Sequence, residues 1–204
     1  MEGVNSNHRP AFGRWLCGGL WSICAFALIR EFASSPSVAG LSVPWFGLVS
    51  LAVWVAYWRP CVSVDDSGVH LVNVLRTVDL PWPSIQRIDT KWALTLYTAY
   101  GAFTAWAAPA PGIRAAARLH AGSRPALPES AVSDGVSIRP GDLPGSPSGD
   151  AANTVRRRWE ELRDAGFLDN PRLEFARPPV RWHWSVIAAG GVLVLGCVAS
   201  IVAS

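Results

Sequence analysis

The sequence predicts a membrane protein of three transmembrane α-helices, with a small all-β domain and a C-terminal capping helix strung between the second and third. Three observations predict it. Long apolar stretches occupy 15–29, 41–58 and 184–203. Between the last two lie about 120 polar residues that open with short β-type runs broken by turns. One charged stretch near 155–162 then carries a single apolar stripe at helical spacing.

A transmembrane helix needs about 20 mostly apolar residues. The second and third stretches hold no charged side chain, and the first reaches back to Phe12 if Arg14 extends its guanidinium to the headgroups. Trp15, Trp45, Trp58, Trp182 and Trp184 fall near segment ends, where an indole favours the interface. Gly18-Gly19 and Gly190-Gly191 are expected to admit close helix neighbours, and Pro44 to sit in the first turn of the second helix. A cleaved signal peptide ending at Ser37-Val38-Ala39 is the competing reading of the first stretch, and Arg30 and Glu31 interrupt it. The chain thus divides into 1–58 (tail and helices at about 12–29 and 41–58), 59–120 (β domain), 121–150 (loop), 151–181 (capping helix and juxtamembrane segment) and 182–204 (third helix).

Net charge is +3, and all but one of the 18 basic residues are Arg. Residues 59–181 balance 15 basic against 13 acidic side chains, which excludes a nucleic-acid footprint. Cys17, Cys24, Cys61 and Cys197 form no CxxC pair, so they read as small buried apolar residues. His8, His70, His120 and His183 have no metal-ligand spacing, and no Walker loop, nucleophile elbow or dinucleotide fingerprint occurs. The expectation is a non-enzymatic protein with no cofactor and no metal.

Within the β domain, runs at 61–64, 69–74, 77–82, 85–88, 91–98 and 102–107 make six or seven antiparallel strands of a small barrel or sandwich. Asp65-Asp66-Ser67-Gly68 is a tight turn. Residues 121–150 are about half Gly, Pro and Ser and read as a flexible loop. Asp150 is a candidate N-cap for a helix with Val155, Trp159 and Leu162 on one face and Gly166 at its end. Arg156-Arg157-Arg158 reads as a solvated face paired with Glu160 and Glu161.

The run PWPSIQRID at 81–89 (Pro81, Trp82, Ile85), Leu94-Thr95-Leu96, and FTAWAAPAPG at 103–112 (Trp106, Pro109, Pro111) together resemble the bacterial pleckstrin-homology-like domain of actinobacterial membrane proteins, the family of low molecular weight protein antigen 6. RRRWEELRDAGFLDNPRLE at 156–174, with Trp159 and Gly166, is similar to the tail of longer members. The resemblance implies a seven-stranded bent barrel closed by a C-terminal helix, and no enzymatic activity. Phosphoinositide binding does not carry over, because the first hairpin loop presents Asp65-Asp66 where phosphate would need cations.

The function expected is therefore docking of a protein partner, peptide or lipid headgroup at the surface of the bilayer, with Arg76, Arg87 and Lys91 near strand ends as candidate rim residues. The alternative is a structural or assembly subunit acting through its helices, with the glycine pairs and Cys17 and Cys24 at interfaces. Arg9, Arg14, Arg59, Arg177 and Arg181 flank the apolar stretches on one side and no charged side chain follows the third. Positive-inside then puts the N-terminus and central domain in the cytoplasm and the C-terminus outside. Single cysteines at Ser133 and Ser204 in a cysteine-free background test this. On intact cells an impermeant maleimide should label Ser204→Cys and spare Ser133→Cys; the reverse pattern would invert the topology.

Overall fold

The computed structural model describes residues 6–8, 11–111, 142–143, 145–168, 173 and 176–203. They form two compact units, one built on the β strands and one on the apolar helices.

In the helical unit, α1 spans Ala11–Ser34 and α2 spans Pro36–Val53, followed by a π-helical turn at Trp54–Trp58; α4 spans Trp184–Ala203. Three spans, Gly13–Ser34, Val38–Trp58 and Trp184–Ala203, are long and apolar enough to cross a membrane. Only 11%, 11% and 17% of their most apolar windows is buried against the chain, so most of that apolar surface needs a non-aqueous neighbour.

The helix bounds correct the first reading in two places. Residues 30–40, expected to be a link, are helical apart from Ser35, and Glu31 accepts a hydrogen bond from Ser42 Oγ at 2.7 Å. Because α2 starts at Pro36, that proline occupies the first turn and Pro44 is interior. Its ring faces α4, where a side chain at Gly196 would meet Pro44 Cβ at 3.1 Å. Close approach also falls elsewhere than on the glycine pairs: Gly13 lies against Tyr57 and Gly47 against Leu193, while Gly18, Gly19 and Gly191 face open space. Cys17 and Cys24 are buried, which removes them from any outer interface. Trp21 stacks on Trp58 at 5.8 Å, and the Arg14 guanidinium covers Trp58 at 5.0 Å.

In the β unit the strands are β2 (Cys61–Val64), β3 (Gly68–Val72), β4 (Arg76–Pro81), β5 (Ile85–Asp89), β6 (Ala93–Thr98) and β7 (Gly101–Pro109). Two more come from outside the expected domain: β1 (Ser6–His8), ahead of α1, and β8 (Val180–Trp182), just before α4. They flank a five-stranded sheet ordered β1-β2-β3-β4-β8, which faces a three-stranded sheet β5-β6-β7. Period-two burial supplies the core: Val62 and Val64, Val69 and Leu71, Val78 and Leu80 from one sheet, Leu94 and Leu96 from the other. Gly68 has no room for a side chain, since a Cβ there would collide with the Leu80 carbonyl across the ladder.

Helix α3 spans Pro147–Asp164. Its N-cap is Ser146, whose Oγ accepts from Gly149 N at 3.0 Å, rather than Asp150, whose carboxylate instead accepts from Gly145 N at 2.8 Å. Pro147 at the first helical position favours that start. Ala151, Ala152 and Val155 are fully buried on the sheets, Trp159 and Leu162 pack beside them, and Gly166 at φ +77° ends the helix. Residues 142–143 and 145–150, expected in the loop, thus belong to the fold; 121–141 and 144 lie outside the described residues.

Strand β1 has a titratable lock. His8 Nε2 lies 2.8 Å from Thr154 Oγ1 of α3, and burial lowers the His8 pKa below 6.5, only partly offset by Asp150. A depressed imidazole pKa means that the docked strand favours neutral His8. Its stability is therefore full above the unfolded value of 6.5 and declines as pH falls below it. Hydrogen exchange at Asn7 and His8, corrected for intrinsic rate, should lose protection between pH 7.5 and 5.5. His8→Gln should flatten that dependence.

Candidate functional site

The strand β5 reads Ile-Gln-Arg-Ile-Asp, with its apolar residues three apart, a spacing that strict alternation would put on opposite faces. A β-bulge between Ile85 and Arg87 resolves the conflict: Ile85 is buried, Ile88 packs on the core, and Gln86 and Arg87 are both exposed. Among the described residues β5 pairs only with β6, and its other edge has no strand partner among them. Trp159 of α3 reaches that strand and donates from Nε1 to the Ile85 carbonyl at 3.2 Å.

Between β5 and α3 lies a pocket of about 180 Å³ lined by Ile85, Gln86, Arg87, Ile88, Arg156, Trp159 and Glu160. Arg156 is the unexpected member. It is buried, and its Nη2 lies 2.7 Å from Asp142 Oδ1, which also accepts from Thr90 Oγ1 at 2.6 Å. Its Nη1 is buried without an acceptor among the described residues. Glu160, one helical turn on, shares the pocket and does not pair with Arg156 as the sequence had suggested. The next arginine but one, Arg158, does lie at the surface, bonded to Glu161 at 2.9 Å and to Asp66 of the β2–β3 turn at 2.7 Å. Arg157 is exposed.

The candidate rim residues separate. Arg87 lies in the pocket wall, stacks over Tyr97 at 4.5 Å and reaches Asp89 at 3.2 Å. Lys91 is in the turn after β5, its Nζ 5.7 Å from the Trp92 ring, and its backbone N–H bonds Asp89 Oδ1 at 3.1 Å. Arg76 opens β4 in the other sheet, with its guanidinium 6.0 Å from the Trp182 ring. The motif residues are chiefly structural. Pro81 and Trp82 form the corner before β5, with Trp82 Nε1 donating to the Asp65 carbonyl at 3.0 Å, and Leu94 and Leu96 fill the core. Trp106 is exposed, its N–H bonded to Asn73 Oδ1 at 2.8 Å; Pro109 ends β7 and Pro111 follows it.

A second polar cluster sits on the five-stranded sheet. His70 bridges Asp79 (Nδ1 at 2.6 Å) and Asp65 (Nε2 at 2.8 Å), and Arg181 reaches Asp79 at 3.0 Å. Burial pushes the Asp65 pKa up, but hydrogen bonds from Ser67 and Gly68 and the His70 ring outweigh it and hold it below the ordinary range. Every member is spent on another, and the cluster staples the hairpin to β4 and β8. Among the described residues no group of His, Cys, Asp and Glu is placed to hold a metal ion.

Sequence reasoning missed Arg156 and Asp142. The first signalled itself faintly: it stands four residues after Ala152 and three before Trp159, on the flank of the apolar stripe. The pair also yields a stability prediction. Asp142→Ala strands a buried guanidinium and should cost the β unit about 3–5 kcal/mol, whereas the double replacement Asp142→Leu/Arg156→Met should stay near wild type. Exchange-derived opening free energies of the Leu71 and Leu94 amides measure both.

No curated protein and no solved structure matches the chain. A family model described as a bacterial PH domain matches residues 59–165, more than half of the chain and a stretch that runs from before β2 to the end of α3. The chain therefore belongs to the bacterial PH domain family.

Proposed function

We propose that this protein is a non-enzymatic membrane-anchored docking module whose PH domain receives a protein or peptide partner along β5. The observation that carries this reading is the β5 edge, unpaired among the described residues, beside a pocket that Arg87, Arg156, Trp159 and Glu160 help to line. An unpaired strand edge offers a row of backbone donors and acceptors, and an adjoining pocket adds side-chain selection. Tethering the module to the bilayer raises its effective concentration toward partners held there. A lipid headgroup is the less favoured occupant, because both arginines of the groove already have carboxylate partners, Arg156 in Asp142 and Arg87 in Asp89, and Glu160 lines it too.

Localisation is proposed as a multi-pass plasma-membrane protein with the N-terminus and domain in the cytoplasm. The pairing of β1 with β2 supports a common side for both, since α1 and α2 intervene between paired strands and so make two crossings. The runs at 81–89 and 103–112 support the narrower placement with actinobacterial antigen 6 relatives. The alternative, an assembly subunit acting through its helices, draws on Gly18, Gly19 and Gly191, where an added Cβ would meet nothing within 4 Å.

Photo-crosslinking in native membranes separates the two readings. With a benzophenone side chain at Gln86, a discrete protein adduct should form, and a benzophenone at Gly19 should yield lipid adducts only. Protein adducts at Gly19 with none at Gln86 would transfer the function to the helices.

A further inference from the structure

Independently of docking along β5, we propose that the outer edge of β2 is a second strand-docking site. Strand β1 fills it in cis and yields it to an extended partner segment that bears an uncharged hydrogen-bond donor where His8 now sits. The present occupant defines the seat. Ser6, Asn7 and His8 pair antiparallel with Val64, Ser63 and Val62, so the backbone of β2 already accepts one more strand. β1 carries no apolar side chain, Asn7 is exposed and His8 is only partly buried, so the strand adds nothing to the hydrophobic core. Among the described residues it is held by that three-residue ladder and by His8 Nε2, 2.8 Å from Thr154 Oγ1 of α3. An edge covered so lightly is open to any strand that fits it better.

The surroundings of His8 state what a better strand carries. The Thr154 hydroxyl donates to the Asp150 carbonyl at 3.0 Å, so toward β1 its oxygen is left to accept and His8 Nε2 is the donor. A carboxylate in place of the imidazole would set acceptor against acceptor, with the Asp150 charge acting on it as well. A cation is disfavoured too: burial lowers the His8 pKa although Asp150 acts to raise it, so desolvation of a charge there outweighs attraction to the carboxylate. β2 presents Val62 opposite His8 and carries no charged side chain, and Asp150 of α3 is the charged group that acts on the ring. Neutral donors such as Gln, Asn and Ser remain. Protonation of His8 is then the release. β1 is held in full above 6.5 and loosens as pH falls below it, by at most about tenfold at pH 5.5, where the free strand is about nine-tenths protonated. A strand with a neutral donor suffers no such loss and takes the edge as β1 gives it up.

The test uses the full chain in lipid nanodiscs, cysteine-free except for Ser63→Cys, the position opposite Asn7. The probes are synthetic peptides of residues 2–8 carrying Asn7→Cys, with His8 kept or changed by His8→Gln or His8→Glu. Each is equilibrated with the chain in a glutathione buffer, and mass spectrometry reads the mixed disulfide against that of a scrambled peptide. At pH 7.5 all three should stay near the scrambled level. At pH 5.5 the His8→Gln peptide should rise about threefold to tenfold, while the His8 and His8→Glu peptides stay behind it. His8→Gln in the chain itself should remove that rise, because β1 then stays seated at both pH values. A His8→Gln peptide that never exceeds the scrambled one would show that the β2 edge is no docking site. A rise that persists in the His8→Gln chain, or that is already present at pH 7.5, would show that β1 is not its cover. Equal capture of the His8→Glu peptide would overturn the neutral-donor requirement.

Discussion

The contact between Arg156 and Asp142 joins parts of the β unit that nothing else in the sequence obliges to meet. Asp142 precedes α3, Arg156 sits in its middle, and Thr90, which also bonds Asp142, belongs to the turn after β5. Two buried charges are tolerable only if each satisfies the other, so this pair fixes the helix against one sheet in a single register. Hydrophobic burial of Ala151, Ala152 and Val155 supplies the attraction but is indifferent to small slides and rotations. The ion pair is directional. Arg156 also lines the groove between β5 and α3, so that groove inherits part of its wall from a structural contact.

The bulge in β5 serves two ends through one device. It returns Ile88 to the core despite odd spacing, and it leaves Gln86 and Arg87 together at an open edge. Edge strands are ordinarily protected by charge, brevity or distortion. Here Arg87 and the bulge temper the edge, while the Trp159 indole takes up only the Ile85 carbonyl. The acidic first hairpin is handled differently. Asp65 folds back on Ser67, Gly68 and His70, and Asp66 meets Arg158, so the loop that binds phosphate in some relatives of the fold is here tied to its own domain.

The helices obey another constraint. Their apolar surface is largely bare, with Trp15, Phe26, Leu195 and Val202 among the exposed side chains, and tight contacts are confined to a few glycines. Small residues and polar bonds such as Trp45 Nε1 to Ser200 Oγ at 3.0 Å join them, the kind of contact that hydrocarbon, which offers no hydrophobic gain from helix association, would call for. Pro44 is accommodated in mid-helix because Gly196 of α4 leaves room for its ring.

Local patterns sufficed for much of this. Apolar length marked three helices able to cross a membrane, the tight-turn composition between two short runs marked the β2–β3 hairpin, period-two alternation marked β4 and β6, and the stripe at Val155, Trp159 and Leu162 marked the face that α3 buries, because each depends only on residues a few positions apart. Long-range pairing was not legible. Three residues ahead of α1 and three ahead of α4 carry no strand signal of their own and become β1 and β8 only because sheet edges await them. Arg156 looked like its neighbours Arg157 and Arg158, and only the helix's rotation on the sheets buried it against an aspartate in a segment read as loop. Composition and periodicity thus determined which elements form and which faces are apolar. The tertiary structure alone decided which charges are buried, which edge stays open and what the groove between them can hold, since those follow from contacts between residues far apart in the chain.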